Sequence, residues 1–496
     1  MLRNLQVSKK SSTFAVASRS KKCLGVDESG LEKCKEQRES RLKNVKSLKN
    51  NHVMYKRKIE AVLEAWKNEP KRKPLVVKGV RQCGKTSSVK QFAYANYEHV
   101  VYMDFREDPA LVSLFNNSLK VDYLTMTISA ALPDAEFVPG KTCLILDEIQ
   151  DCPRARGALK FLCLDGRYDV ICTGSLLGVN GYKTKEQEQQ EQQASIPVGF
   201  ETIVEMYPMD FEEWLWANGI KSEVDAYLRE CLEKEEPVGD GIHARMRQLM
   251  LEYAIVGGMP EAVETFLTTH NINQLRRVQR AIVDEYKGDM VKYARMEDKP
   301  RIRECFESIP RQLSKENKKF QYSVVRPGGR SKDYLGCLQW IEDAGIIHRC
   351  YNLVITELPL DGNAIDEQFK VYMTDTGLFV SMLGEETQLD ILRGNLLSYK
   401  GAIFENLMAD LMGKRGMKMY YFHKESGLEI DFVMRYKDVC TLVECKANTG
   451  NAKSLQTVLK HPEKYHVYSA LKFGDYNVGR NGALLTLPFY MWYLLW

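Results

Sequence analysis

The sequence predicts an α/β protein whose N-terminal half is built on a parallel β-sheet. Between residues 74 and 209, short apolar segments alternate with longer segments of helical periodicity. Strands that are separated by helices form parallel sheets covered on both faces. A glycine-rich loop follows the first apolar segment and precedes the first helical one. Helical segments and then a second mixed α/β region are expected in the C-terminal half.

Length and charge favour several domains with a basic tail. The chain has 496 residues, about three typical domain lengths, and its hydrophobic content of 44% suffices for real cores. Residues 1–50 carry 13 Lys/Arg and 5 Asp/Glu, a net of 13 − 5 = +8, so the remainder carries 4 − 8 = −4. We expect residues 1–53 to form a disordered basic tail, because dense charge cannot bury enough apolar surface.

Cysteine usage and hydropathy predict a cytoplasmic protein without a membrane partner. The 13 cysteines include no C-x-x-C pair, a usage typical of reduced thiols and unfavourable to a zinc site. No apolar stretch reaches transmembrane length, and the N-terminus lacks the apolar segment of a secretory signal. The longest apolar stretch, residues 483–496, contains Pro488 and is expected to be buried core.

The glycine-rich loop has the spacing Gly79-x-x-x-x-Gly84-Lys85-Thr86, which is the P-loop pattern. Glycines let backbone N–H groups turn toward phosphate oxygens, and the following helix N-terminus favours anions. We expect Lys85 to reach the β- and γ-phosphates as a catalytic residue, and Thr86 to ligate Mg²⁺. The residues expected to contact the nucleotide are Gly79, Gln82, Cys83, Gly84, Lys85, Thr86 and Ser87.

Two acids, Asp147 and Glu148, end the strand-like segment 141–150. In a P-loop ATPase, the first acid holds Mg²⁺ through water and the second orients and deprotonates the attacking water. Alone, the pair could equally be a solvated strand end, but its place downstream of a P-loop favours the catalytic role. Thr173 ends the next predicted strand and is expected to contact the γ-phosphate or the water, with helix capping as the alternative.

Several segments together resemble the prokaryotic AAA-family ATPases that carry a C-terminal domain of unknown function. They are GVRQCGKTS, LILDEIQ, ICTGSLLG, MYPMDFEEWLW, YAIVGGMPEAV, VYMTDTGL and GAIFENLMADL, which lie between residues 54 and 496. The resemblance implies that the nucleotide is ATP. Many relatives carry a Gly-Arg pair, a candidate arginine finger, before the segment that here is SIPVGFETIVEMYPM and lacks arginine. Arg154 and Arg156 are the alternative source of that charge, and residues 183–194 are expected to form an exposed loop insertion.

The middle of the chain predicts a helical link followed by a winged-helix-like segment. Residues 275–294 carry a helical stripe of apolar side chains. In residues 333–353 a helix is followed by a β-like run, the order of a recognition helix and wing, a module that often binds DNA. The alternative is a helix–strand packing unit without nucleic acid, and Glu342 and Asp343 on the helix count against groove recognition.

The last domain carries three acids and a lysine in a suggestive order. Side chains alternate along a strand, so Glu444 and Lys446 share a face, and Asp431 on the preceding strand can join them. Glu405 lies at the edge of the apolar stripe of an upstream helix. The four resemble the PD-(D/E)xK nuclease site, which the family above carries, and imply Mg²⁺ held by carboxylates beside a lysine that positions the nucleophile. The alternative is a salt-bridged hairpin.

These observations predict a domain plan and two functions. The plan is a tail at 1–53, an AAA-type ATPase domain at 54–216, a helical linker or lid at 217–300, a winged-helix-like segment at 301–395 and a nuclease-like domain at 396–496. The leading hypothesis is an ATPase that couples Mg²⁺-dependent ATP hydrolysis to a DNA-associated task. The alternative is a nucleotide-dependent switch that binds a protein partner and carries an inactive nuclease-like scaffold. The sequence leaves the oligomeric state open.

Overall fold

The computed structural model describes residues 55–175, 198–293, 298–315, 318–384, 386–393, 400–446 and 452–496. The predicted tail and the predicted insertion at 183–194 lie outside these residues. Every cysteine in the described ranges is a free thiol. None of the helices in those ranges combines the length and the apolarity needed to cross a bilayer.

The first sheet has five strands, all parallel, in the order β2-β3-β4-β1-β5. The strands are β1 Leu75–Lys78, β2 His99–Asp104, β3 Thr142–Asp147, β4 Asp169–Gly174 and β5 Thr202–Glu205. The predicted parallel sheet is confirmed. Because β1 lies between β4 and β5, its carboxyl end opens beside the ends of strands that are distant in sequence.

Helices cover both faces of this sheet, as side-chain alternation requires. They are α1 Ile59–Asn68, α2 Lys85–Asn96, α3 Val121–Ala131 and α4 Pro153–Asp165. Leu75 and Val77 of β1 pack in the core that includes Trp66 of α1 and Phe92 of α2. Val76, between them, packs in a second core with α3 and α4. The loop between β1 and α2 therefore starts from a strand that is fixed on both sides.

Five helices form the middle of the chain. They are α5 Phe211–Ala217, α6 Ser222–Lys234, α7 Asp240–Val256, α8 Pro260–Thr269 and α9 Ile272–Tyr293. The helical stripe predicted for α9 is present, because Leu275, Ile282, Val283, Tyr286 and Met290 are buried.

The helix–strand order of the predicted winged-helix segment is present, but its strand belongs to a larger sheet. The elements are α10 Lys299–Leu313, α11 Tyr322–Val325, α12 Ser331–Asp343, β6 Ile347–Leu353 and β7 Ala364–Met373. Strand β6 pairs with β7 on one side and with β8 on the other. Strands from both sides of the predicted boundary at residue 395 thus share one sheet.

This second sheet has eight strands in the order β12-β13-β11-β10-β9-β8-β6-β7. The remaining elements are α13 Thr376–Met382, α14 Thr387–Arg393, α15 Lys400–Gly413, β8 Met419–His423, β9 Glu429–Tyr436, β10 Val439–Cys445, α16 Lys453–Leu459, α17 Pro462–Tyr465, β11 Ser469–Gly474, β12 Gly479–Asn481 and β13 Leu484–Pro488. Strands β8, β9 and β10 form an antiparallel meander, and β11 joins β10 in parallel. Helix α15 is buried from Ala402 to Gly413 except at Phe404, so it is a central helix rather than one with a single apolar stripe.

Candidate functional site

The glycine-rich loop connects β1 to α2 and is shaped by close backbone contacts. Gly84 caps α2 with φ 98°, a left-handed conformation that favours glycine. A Cβ atom on Gly79 would lie 2.0 Å from the carbonyl oxygen of Met206, so only glycine fits there. The strand, loop and helix predicted from the sequence are therefore all present.

Lys85 is almost fully buried at the base of the loop. Its Nζ donates to the carbonyl oxygens of Gly79 at 3.0 Å and Val80 at 2.8 Å. The ammonium group is thus held along the inner face of the loop, where phosphate oxygens would compete for it.

Three hydroxyl side chains meet at the carboxylate of Asp147, at the end of β3. The Thr86 hydroxyl donates to Asp147 Oδ1 at 3.2 Å, and the Thr173 hydroxyl donates to the same oxygen. Tyr102 donates to Asp147 Oδ2 at 2.8 Å. Asp147 is only 1% exposed. The predicted metal ligands Thr86 and Asp147 therefore adjoin one another, with Thr173 beside them.

Glu148 follows in a left-handed backbone conformation, with φ 52°. Its Oε2 lies 3.0 Å from Arg106 Nη2 and also accepts a hydrogen bond from the Gln150 amide. The Ser175 hydroxyl is at the edge of reach, at 3.5 Å. The candidate base is therefore held by a cation and an amide rather than left free in solvent.

A cavity of about 330 Å³ opens over the loop. Its lining residues come from the segment before α1, the loop, α2, the position after β3, the segment before α5, and α8; they are Tyr55, Arg57, Gln82, Gly84, Lys85, Thr86, Ser87, Ser88, Gln91, Glu148, Met209, Pro260, Glu261 and Glu264. Five of the seven predicted nucleotide contacts line it. Cys83 is fully buried and Gly79 packs against Met206, so these two shape the loop from behind.

The tip of the loop is tied to α9. Arg81 Nη1 lies 2.6 Å from Asp289 Oδ1, and Gln82 Nε2 donates to Glu285 Oε2 at 2.7 Å. The Tyr286 hydroxyl donates to the carbonyl oxygen of Arg81 at 3.2 Å. The helical middle of the chain therefore contacts the loop directly.

Sequence reasoning missed Arg57, Tyr102 and Arg106. Tyr102 and Asp104 are two positions apart on β2 and therefore lie on the same face of the strand. This spacing could have indicated that Tyr102 faces the site. Arg57 donates to the carbonyl oxygen of Cys83 at 2.8 Å from a basic stretch without any periodicity, so no signal marked it. The two arginines considered as substitutes for an arginine finger already have partners. Arg154 donates to the Phe115 carbonyl at 2.7 Å, and Arg156 pairs with Glu201.

The four C-terminal residues Glu405, Asp431, Glu444 and Lys446, hereafter the acid pocket, come together at one end of the second sheet. Strand register pairs Val443 with Phe432, which brings Glu444 opposite Asp431. Lys446 forms an ion pair with Glu444, and the backbone N–H of Cys445 donates to Asp431 Oδ2 at 2.8 Å. Burial and the nearby carboxylates of Glu444 and Glu405 raise the pKa of Asp431 well above its usual range.

Two further lysines neutralise Glu405. Lys318 forms an ion pair with it, and Lys370 on β7 lies 3.8 Å away and pairs with Glu429 at 2.7 Å. Despite burial, these ammonium groups lower the pKa of Glu405. Glu444 Oε2, in contrast, has no hydrogen-bond partner among the described residues. Within those residues, no group of three or more His, Cys, Asp or Glu side chains could hold a metal ion.

Comparison with family models divides the chain into three parts. Residues 71–215 match an AAA domain, residues 247–389 match a domain of unknown function, DUF8612, and residues 400–490 match another, DUF4143. The segment that carries the glycine-rich loop and Asp147 is therefore similar to AAA domains. A comparison with curated proteins found no match.

Similar solved structures are distant. The Walker-type ATPase PABY2304 of Pyrococcus abyssi is 15% identical, with a TM-score of 0.38 over 66% of this chain and 96% of that chain. The Aeropyrum pernix Orc1 protein in complex with DNA is 11% identical, with a TM-score of 0.28 over 69% and 94%. AMPPCP-bound DnaA from Aquifex aeolicus is 12% identical, with a TM-score of 0.26 over 60% and 90%. These similarities are too low to assign a function.

Proposed function

We propose that this protein binds and hydrolyses ATP at the P-loop and couples that reaction to a task on DNA. The observation that carries the first half is the meeting of Thr86, Thr173 and Asp147 beside the buried Lys85. Catalysis of phosphoryl transfer needs a lysine at the phosphates, a metal held by a hydroxyl and an acid, and a base for water.

Each residue has a distinct role in this proposal. Lys85 would exchange its bonds to the Gly79 and Val80 carbonyls for bonds to the β- and γ-phosphates. Thr86 and Asp147 fit Mg²⁺, because this ion takes few protein oxygens and relies on substrate phosphates for the rest. When bound, Mg²⁺ would neutralise charge that develops on the phosphates. Glu148 would accept the proton of the attacking water, with Thr173 orienting that water.

A basic surface supports the proposed contact with DNA. Residues 299–332 contain 10 Lys/Arg and 3 Asp/Glu, a net of 10 − 3 = +7, and phosphate contacts dominate the affinity of proteins for DNA. Five of these cations on α10 and at the start of α12 are exposed; they are Arg301, Arg303, Arg311, Arg330 and Lys332. The acids that weakened this hypothesis have internal partners, since Glu342 pairs with Arg349 and Asp343 accepts from Gln339 at 2.7 Å.

The C-terminal domain has two candidate roles. The succession α15, β8, β9, β10, α16, β11 places the acid pocket on a meander backed by two helices, an arrangement consistent with a nuclease-like fold. The lysine partners of Glu405 favour the second candidate, an inactive scaffold in a nucleotide-dependent switch that binds a protein partner. A site already filled by ammonium groups does not attract a divalent cation.

ATPase measurement on the full chain, with and without duplex DNA at stated salt concentrations, tests the proposal. Lys85→Ala should abolish turnover, whereas Lys120→Ala, an exposed lysine outside the cavity, should not. Turnover by Lys85→Ala equal to wild type would overturn the assignment.

The DNA contact is tested separately. Replacing Arg330 and Lys332 by alanine should weaken DNA binding. The slope of the logarithm of the binding constant against the logarithm of the salt concentration should become shallower by about 2, because about two phosphate contacts are lost. The matched control replaces Arg245 and Lys460, which are exposed elsewhere. Equal losses in the two pairs would show that only net charge matters. Nicking of plasmid DNA in Mg²⁺ or Mn²⁺, lost in Asp431→Asn, would decide for an active nuclease, and no nicking would favour the scaffold.

A further inference from the structure

One wall of the nucleotide cavity is held by the C-terminal half of the chain. Met209 lines the cavity, and its carbonyl oxygen accepts from the Tyr253 hydroxyl at 2.9 Å and from Lys414 Nζ at 3.2 Å. Lys414 directly follows α15 and is separated from Met209 by 205 positions in the sequence. Lys414 also donates to the Tyr253 hydroxyl at 2.8 Å, so the two groups that donate to the Met209 carbonyl are bonded to each other.

The backbone N–H of Met209 is fixed from the same direction. It donates to the carbonyl oxygen of Gly258 at 2.7 Å, and the N–H of Gly258 donates to Asp375 Oδ2 at 2.6 Å. Asp375 also accepts from the N–H of Leu378 at 2.9 Å. Both polar backbone groups of Met209 are therefore bonded to a network that reaches beyond the AAA domain.

Glycine is required where these segments meet. A Cβ atom on Gly258 would lie 1.9 Å from the Met209 carbonyl oxygen, and one on Gly257 would lie 2.1 Å from Asp375 Oδ1. Both distances are shorter than any van der Waals contact. The sequence Gly257-Gly258 thus allows the approach that brings Asp375 to the cavity wall.

The charged groups of this network are out of reach of solvent, and one lysine lies between two carboxylates. Lys414 Nζ lies 2.7 Å from Asp410 Oδ1 and 3.7 Å from Asp375 Oδ2, and each of these side chains is at most 3% exposed. Asp410 Oδ2 accepts from the N–H and the hydroxyl of Thr376 at 2.8 and 2.9 Å. A buried charge that is paired and hydrogen-bonded fixes its surroundings, because moving it would leave unpaired groups in the interior.

We propose that Lys414 is a positioning residue of the nucleotide site, which is therefore completed by the C-terminal domain. It acts through Met209 and touches neither the phosphates nor the reacting water. This inference rests on the proposed function, because it concerns the affinity of the same cavity for ATP. Helix α15 also bears Glu405, nine positions before Lys414 (414 − 405 = 9), so one rigid element adjoins both the cavity wall and the acid pocket.

The test compares ATP binding and hydrolysis in full-length variants. Lys414→Met alone leaves two buried carboxylates without their cation, so the main variant is Asp410→Asn with Lys414→Met, which removes one charge of each sign. Asp375 keeps its hydrogen bonds from the N–H groups of Gly258 and Leu378. We expect Kd for a fluorescent ATP analogue and KM for ATP to rise about tenfold, the loss of one hydrogen bond from a charged donor. The value of kcat should change less than about twofold, because Lys85, Glu148 and Asp147 are untouched.

Two comparisons separate positioning from general damage. Lys414→Arg should recover part of the lost affinity, since a guanidinium can still donate to Met209. Lys418→Met, on an exposed lysine, should match wild type. Unchanged Kd and KM in the double variant would overturn the inference while leaving the proposed ATPase intact. Failure of wild type to bind the analogue would instead overturn the proposed function.

If the double variant does not fold, amide hydrogen exchange of the wild type supplies the test. The ATP analogue should slow exchange in peptides that span residues 407–416, because a fixed cavity wall restrains the end of α15. Exchange in these peptides that is insensitive to a saturating analogue, while the P-loop peptides are protected, would also overturn the inference.

Discussion

Arg57 connects three parts of the nucleotide site, and its replacement is the sharpest test of how the loop is held. Its Nη1 donates to the Cys83 carbonyl at 2.8 Å, its Nη2 donates to the Tyr207 carbonyl at 2.7 Å, and its Nε lies 3.0 Å from Glu213 Oε1. The Arg57 and Glu213 side chains are 7% and 5% exposed. Arg57→Met keeps much of the side-chain volume and removes all three bonds.

The cost follows from the burial of the partner. Removing one member of a buried ion pair destabilises by about 3–5 kcal/mol, because the remaining charge stays buried without compensation. For a domain of this size, each kcal/mol lowers the melting temperature by about 2–4 °C. The unfolding transition of the AAA domain is identified as the one whose melting temperature an added ATP analogue raises. We therefore expect Arg57→Met to lower the melting temperature of that transition by about 6–20 °C. Affinity for the analogue should fall as well, because the Cys83 carbonyl loses its donor.

A second variant separates the charge from the contacts. In Arg57→Met with Glu213→Gln, no unpaired carboxylate remains, and the glutamine oxygen can still accept from the backbone N–H of Lys58 or Asp210. This variant should regain about half of the lost stability. Lys56→Met, on the exposed neighbouring lysine, is the matched control. If Arg57→Met melts within about 2 °C of wild type, the reasoning from buried charge is refuted.

Three further predictions use other features of the chain. Glu148→Gln should bind ATP normally and hydrolyse it far more slowly, because the water loses its base; equal loss of binding would make Glu148 structural. Deletion of residues 1–50 should leave melting temperature and ATPase rate unchanged, and should weaken DNA binding at low salt only. Burial lowers the pKa of His348, so below about pH 6.5 the unfolded chain takes up a proton that the folded chain refuses, and stability falls as the pH falls. Thermal melts at about pH 7.5 and 5.5 should show this loss in wild type and in His461→Gln, an exposed control, but less of it in His348→Gln.

The geometry of the candidate nucleotide site was predictable because its information is local. The loop from Gly79 to Thr86 spans eight consecutive positions, and the strand and helix around it follow from apolar periodicity over a few residues each. Asp147 and Thr173 were found because each ends an apolar strand, and the carboxyl ends of parallel strands meet at one edge of a sheet. The strand order β2-β3-β4-β1-β5 was not predictable, since it depends on which strands pack together across the core.

The acid pocket was predictable only in part, and the missing part decides its chemistry. Strand parity placed Glu444 and Lys446 on one face, and the meander placed Asp431 opposite Glu444. The partners of Glu405 come from far away in sequence, since Lys318 is 87 residues upstream and Tyr372 is 33. Nothing in the pattern around either residue marks it as a neighbour of Glu405. A sequence motif can therefore indicate a metal site while the fold supplies ammonium groups that compete with the metal.

Helix α15 shows why the sequence pattern does not predict that ammonium groups compete with a metal ion for Glu405. A single apolar stripe at 403, 404, 407, 408, 411 and 412 predicts a helix with one buried face and with Glu405 at the edge of that face. In the fold, the carboxylates of Glu405 and Asp410 are both buried, and each is matched by lysine from another position, Glu405 by Lys370 and Asp410 by Lys414. A buried charge on a helix requires an opposite charge nearby, which β7 brings to Glu405 and the residue four positions further along the chain brings to Asp410. The polar residues of α15 therefore join the AAA domain, the middle helices and the second sheet, and a substitution there should affect the nucleotide cavity and the acid pocket together.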